Sequence, residues 1–182
     1  MKKILFSSIL ATMLTLSSVE AFDEQREGFI LSLGAGISSV NTDIKVGSSD
    51  FDDSSFGLAT SFKIGYGFTN QFLLYYVNDV SWYGYDNDSN DDTYTSGLTG
   101  VGVSYYIDKN SPYYVMGAVG FGSFVNFSEN EGESGSAFSI GAGYEVSSHF
   151  LVEATYLSTD IDEDRVELTT GAFRVTANYM WY

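Results

Sequence analysis

The sequence predicts an all-β chain, an eight-stranded antiparallel up-and-down transmembrane β-barrel, and three observations carry that expectation. Segments of about ten residues alternate bulky apolar with small or polar side chains, a period of two that extended backbone turns into two faces. The breaks between segments alternate short and long. The smaller-residue face is mostly glycine, serine and alanine, a poor coat for water but a good filling for a narrow lumen, which leaves the bulky face for lipid.

Composition narrows the alternatives. The 182 residues hold 19 glycines, one proline and 16% aromatics, and glycine, β-branched and aromatic residues are poor helix formers. Residues 1–21 read as a signal peptide: Lys2 and Lys3 form a positive start, Ile4 to Leu16 an apolar stretch, and Val19-Glu20-Ala21 a cleavage site. The mature domain is then 22–182. Removing the signal leaves six basic and 23 acidic residues, a formal charge of 6 − 23 = −17, which excludes nucleic acid as a partner. With no cysteine, a disulfide framework, a thiolate metal site and a thiol nucleophile are excluded too. Beyond the signal no apolar run reaches 18 residues, the length a membrane helix needs.

The strands follow in order. The first sets Phe29, Leu31, Leu33, Ala35 and Ile37 against Ser32, Gly34, Gly36 and Ser38; the second sets Phe56, Leu58, Phe62, Ile64, Tyr66 and Phe68 against Gly57, Ala59, Ser61, Lys63, Gly65 and Gly67. The third is less regular, with Phe72, Leu74, Tyr76, Val80 and Trp82 opposing Leu73, Tyr75, Val77, Asp79 and Ser81. Val101, Val103, Tyr105 and Ile107 mark the fourth, and Tyr113, Val115, Val119, Phe121 and Val125 the fifth. Phe138, Ile140, Ala142, Tyr144 and Val146 mark the sixth, Phe150, Val152, Ala154 and Tyr156 the seventh, and Phe173, Val175, Ala177, Tyr179 and Trp181 the eighth.

Connection length supplies orientation. Residues 69–71, 108–112 and 147–149 read as tight turns, whereas 41–55, 84–94, 128–135 and 158–167 read as long, solvated loops. Barrels of the outer membrane keep short turns in the periplasm, so both termini are expected there and the long loops outside. Phe68, Phe72, Tyr105, Tyr106, Tyr113, Tyr114, Tyr144, Phe150, Tyr179, Trp181 and Tyr182 cluster near the tight turns, as an interfacial aromatic girdle would.

Five charged residues fall within strands: Lys63, Asp79, Glu145, Glu153 and Arg174. Each belongs to the small-residue face, and a one-residue slip would turn it into lipid, at roughly 2–4 kcal/mol for Lys or Arg near the midplane. An interior ion-pair network is expected, with Lys63 and Arg174 shared among the three acids. Its simplest role is to fill and stiffen the lumen rather than to gate an ion path. The long loops carry 16 of the 23 mature acids, ligands suited to divalent cations that could bridge to anionic surface lipid, or a contact surface for a host ligand. Asp86, Asp88, Asp91 and Asp92 are weak metal candidates: Asp86-Asn87-Asp88-Ser89-Asn90 opens like a calcium loop, but Asp91 stands at the sixth place where glycine belongs and Gly97 at the twelfth where glutamate belongs. A like-charged, solvated loop accounts for the same residues.

Nothing calls for a cofactor or catalysis. The single histidine, His149, lies in an expected turn, and Gly-x-Ser-x-Gly is absent. The glycine pairs at 34 and 36, 100 and 102, and 141 and 143 lie inside strands and open no helix, so they are not phosphate loops.

Taken together, the signal, eight alternating segments, alternating connections and a last strand that ends on aromatics resemble the OmpA/OmpX-type small outer-membrane β-barrels, often described as porin-like or opacity-like surface proteins. The resemblance covers 22–182. It implies the cell outer membrane, lipid as surroundings, and insertion by the barrel-assembly machinery through the last strand, where Phe173, Val175, Ala177, Tyr179 and Trp181 fit the sorting pattern and Tyr182 adds one residue beyond it. The functional expectation is a non-enzymatic membrane anchor displaying acidic extracellular loops, for adhesion, interaction or envelope stability. A narrow porin-like channel for small solutes or ions is the alternative, and a lipid-modifying enzyme stands third.

Overall fold

The structure, a computed structural model, describes residues 26–46, 49–87, 90–126, 131–163 and 166–182. The expected signal peptide at 1–21 lies outside the described residues. Eight strands follow one another: β1 Gly28–Val46, β2 Ser49–Gly67, β3 Phe72–Asn87, β4 Asn90–Tyr106, β5 Tyr113–Asn126, β6 Glu131–Ser147, β7 Phe150–Glu163 and β8 Val166–Trp181. Each pairs antiparallel with the next, and β8 closes on β1. Closure matters in lipid, because no row of backbone N–H and C=O groups is left at an edge.

Register fixes the shape. A path across the strands from Leu33 runs through Phe62, Asn78, Thr99, Phe121, Ser136, Asp160 and Thr169 and returns to β1 at Asp43, a shear of 43 − 33 = 10 residues. Eight strands with such a stagger tilt by roughly 35–45° and enclose a lumen that side chains can fill.

The alternation read from sequence describes both faces. Outward go Phe56, Val119 and Phe121, exposed by 69%, 66% and 75%, together with the other bulky residues of the eight patterns. So much exposed hydrocarbon around a closed cylinder suits lipid and not water. The third strand keeps its period, with Phe72, Leu74, Tyr76 and Trp82 outside and Leu73, Tyr75, Val77, Asp79 and Ser81 inside.

Two expectations change. The long connections at 41–55, 84–94, 128–135 and 158–167 are mostly ladder, not loop: Asn41–Val46 pairs with Ser49–Ser54, Gly84–Asn87 with Asn90–Thr93, Gly122–Asn126 with Glu131–Gly135, and Ser158–Glu163 with Val166–Gly171. One face of these extensions is still buried, by Thr42, Thr159, Ile161, Leu168 and Thr170, but much of it is hydroxylic and the outward places are polar, so the apolar period that marks strands in lipid fades. The second change concerns Tyr106 and Tyr114. Both point into the barrel and are buried, since they follow the outward Tyr105 and Tyr113 by one residue. Tyr182 also leaves the girdle: Trp181 is the last outward aromatic, and Tyr182 packs against the interior cluster. That cluster, with Ile30, Leu73, Leu98, Leu151, Leu157 and Met180, makes the lumen more apolar than its small-residue pattern implied.

Candidate functional site

The lumen is built in tiers. Counting from the short-turn end, Glu145 on β6 comes first. Glu153 is paired in register with Gly143 and so lies two residues farther in, and Arg174 lies two residues beyond the Thr176 that faces Glu153. Asp79 is level with Ser61, two residues beyond Lys63. Strand tilt and register thus bring charges from β2, β3, β6, β7 and β8 into one column.

The lowest tier joins Glu145 to Arg26, at 2.7 Å from Nη2 to Oε2, with both side chains buried. Arg26 lies ahead of β1. Its Nε also donates to Glu145 Oε2, Nη1 to the carbonyls of Asn70 and Lys109, and Nη2 to the carbonyl of Ser111. The guanidinium carbon lies 3.4 Å from the centre of the Tyr106 ring, a cation–π contact strengthened by exclusion of water. In the second tier Lys63 Nζ donates to both oxygens of Glu153, at 2.5 and 2.7 Å, and Tyr114 Oη donates to Oε1 at 2.8 Å. The Tyr75 ring stands 5.3 Å from the same ammonium, its hydroxyl paired with Ser104. In the third, Arg174 Nη1 lies 3.1 Å from Asp79 Oδ2 and Nη2 donates to the Thr60 carbonyl. Beyond it Ser96, Thr159 and Thr170 share hydroxyl hydrogen bonds, and the stacked rings of Tyr83 and Tyr94 with Phe124 lie farther out.

The five charged residues expected in the lumen are all buried there, but they divide into pairs. Lys63 takes Glu153 and Arg174 takes Asp79, while Glu145 goes to a residue that strand patterns could not supply. Arg26 lies ahead of the alternating segments, so the period that places the other charges says nothing of it. Charge balance could have found it: three interior acids against Lys63 and Arg174 leave one acid short of a cation, and Arg26 stands two residues before Gly28, at the short-turn end where Glu145 lies. In the observed arrangement three cations meet three anions. Among the described residues each tier is charge-matched, and each charge is held where its partner compensates the loss of water.

The remaining candidates lie elsewhere. His149 Nδ1 is 2.9 Å from the Met180 carbonyl, and its ring packs near Tyr179 and Tyr182, so it fastens the end of β8 to the β6–β7 turn. The backbones of Asp86, Asp91 and Asp92 run in the β3–β4 ladder, with Asp86 opposite Asp91. Their side chains, and Asp88 altogether, lie outside the described residues, and among those described no cluster of three metal-ligating side chains occurs.

Solved structures repeat this architecture. Ail, the attachment invasion locus protein of Yersinia pestis, is 19% identical with a TM-score of 0.57, over 85% of this chain and 99% of its own. A second structure holds Ail in complex with the heparin analogue sucrose octasulfate, at 15% identity and a TM-score of 0.54, over 85% of this chain and 99% of that one. OprG from Pseudomonas aeruginosa is 14% identical with a TM-score of 0.55, over 87% of this chain and 99% of its own. At such identities the likeness is one of fold. No curated protein matches the chain in sequence. A closed barrel with an apolar outer face accords with the family model that residues 9–180 match, described as an outer membrane protein beta-barrel domain, and the chain belongs to this family.

Proposed function

We propose that this barrel is a closed, non-enzymatic anchor that holds its long acidic hairpins on the outer surface, with the short turns and both termini in the periplasm. The observation that carries the reading is the lumen: three charge-matched ion pairs, 0–5% exposed, stand in series across it. Opening a path through any tier would separate a buried pair, at roughly 3–5 kcal/mol. With the interior so committed, chemistry toward the surroundings falls to the hairpins, where 16 acids accumulate.

That charge also selects partners. Sucrose octasulfate, bound in the Ail complex, is a polyanion, and a chain of mature charge 6 − 23 = −17 repels such a ligand. Cationic surfaces, or divalent cations bridging to anionic lipid, fit instead.

Planar-bilayer recording tests the anchor. The expected trace shows no steady unitary conductance; a steady conductance that Arg174→Ala alters would establish the narrow channel in its place. Topology is tested with a single cysteine. Asp88→Cys reacts with an impermeant thiol reagent on intact cells and Lys109→Cys does not; the reverse labelling would invert the orientation.

A further inference from the structure

Of the three buried cations, one is not part of a strand. Lys63 and Arg174 are locked into ladders on both sides, whereas Arg26 precedes the first paired residue, Gly28. Yet it is fully buried. Its guanidinium has five N–H donors, and all five are used: two on Glu145, and one each on the carbonyls of Asn70, Lys109 and Ser111. Those carbonyls belong to the β2–β3 and β4–β5 turns, and Glu145 stands beside the β6–β7 turn, so one side chain ties together all three short connections. Tyr106 covers one face of the guanidinium, and Tyr182 at the other end of the chain packs against the same interior cluster.

Backbone features bring Arg26 there. Gly28, the first residue of β1, has φ +122°, a left-handed conformation that side chains disfavour, and it turns the chain where β1 begins. Gly67 lies in register with Gly28, and a Cβ built on it would stand 1.8 Å from the Arg26 carbonyl. The absence of a side chain at 67 is what admits the segment. The Arg26 amide donates to Asn70 Oδ1, which is the backbone group's tie to a turn.

We propose that the Arg26 side chain is a removable stopper: it bolts the short-turn mouth of the barrel from within, and its withdrawal opens that mouth while leaving every strand ladder intact. The stopper does not depend on what the hairpins recognise, and it predicts which end of the lumen yields first.

The chain has no cysteine, so one introduced thiol reports access. Ser104→Cys places it in the lumen beside the Tyr75 hydroxyl, level with Leu73, and Ser96→Cys places it beyond the Arg174 tier. Each is made with Arg26 and with Arg26→Met, and the folded barrels are treated with a small cationic methanethiosulfonate. The expected result is at least tenfold faster modification of Ser104→Cys in the Arg26→Met background, with Ser96→Cys unchanged. Equal rates at Ser104→Cys in the two backgrounds, or parallel rises at both positions, overturn the stopper, the latter by showing general loosening. Gly67→Ala provides a second route should Arg26→Met not fold, since it displaces the Arg26 backbone and alters no charge. The same selective rise at Ser104→Cys is expected from it, and no rise counts against the proposal.

Discussion

The half of the barrel near the short turns and the half that rises into the hairpins share one backbone plan and differ in what surrounds it. Near the turns each strand has lipid on one side and a packed lumen on the other, so every residue is committed to a face. Lys63 cannot shift by one position without entering hydrocarbon, and Phe62 cannot shift without entering the space of the ion pairs. In the hairpins the ladder continues with the same register, yet aspartate faces aspartate at 43 and 52 and again at 86 and 91. Asp43 is exposed, so water screens its charge. Identical hydrogen bonding thus coexists with strict side-chain demands in one half and loose ones in the other.

The largest effect expected from this contrast is in the lumen. Lys63→Met removes one member of a buried pair and strands Glu153 with only Tyr114 as donor, so it should destabilise the barrel by about 3–5 kcal/mol. Urea unfolding in vesicles measures this. Adding Glu153→Leu to the same chain should restore most of the loss, because no uncompensated charge remains. A double variant no more stable than Lys63→Met would show that the pair matters by shape and not by charge.

A charge placed on the outer face comes next. Val119 faces outward at 66% exposure, and Val119→Arg should cost about 2–4 kcal/mol if it meets the bilayer near its middle. Ser54→Arg, also on an exposed position but in the β1–β2 hairpin, should change stability by no more than about 0.5 kcal/mol. Equal losses at the two sites would erase the boundary between the halves.

That boundary also explains what the sequence could and could not disclose. Facing was legible for all eight strands because lipid and lumen impose opposite demands on neighbouring residues, as Tyr105 and Tyr106 illustrate. Tyr105 faces outward, whereas the next residue, Tyr106, is buried and covers Arg26, so the two cannot both belong to the girdle. The hairpins were not legible as strands because their outward places carry polar residues such as Asn41 and Asp43 in place of bulky apolar ones, although Val40, Thr42, Ile44 and Val46 keep a period of two. The burial of Lys63, Asp79, Glu145, Glu153 and Arg174 followed from period alone, but their pairing depended on shear. A shear of ten residues (43 − 33) decides which rungs meet across the lumen, and it is a property of the closed sheet that no single segment encodes. Arg26 lay beyond reach for a related reason: it acts from outside the ladder, through a glycine turn.

The smallest effect expected lies in the hairpins themselves. Asp86 and Asp91 are directly opposed in the β3–β4 ladder, and like charges so placed weaken a hairpin. Asp91→Lys converts the repulsive rung to an attractive one and should stabilise the hairpin by about 0.2–1 kcal/mol. The gain should shrink as salt rises, because exposed charges are screened over about 8 Å at physiological ionic strength. Amide hydrogen exchange at Gly84 and Thr93, which are paired two rungs closer to the barrel, reads it locally where a global unfolding curve would not. Slower exchange at low salt that returns to the parental rate at high salt supports a ladder held by its backbone and loosened by its charges. Exchange that slows equally at all salt concentrations would instead assign the change to strand propensity and leave the acids without a structural cost, so that their accumulation would need no external partner to offset it.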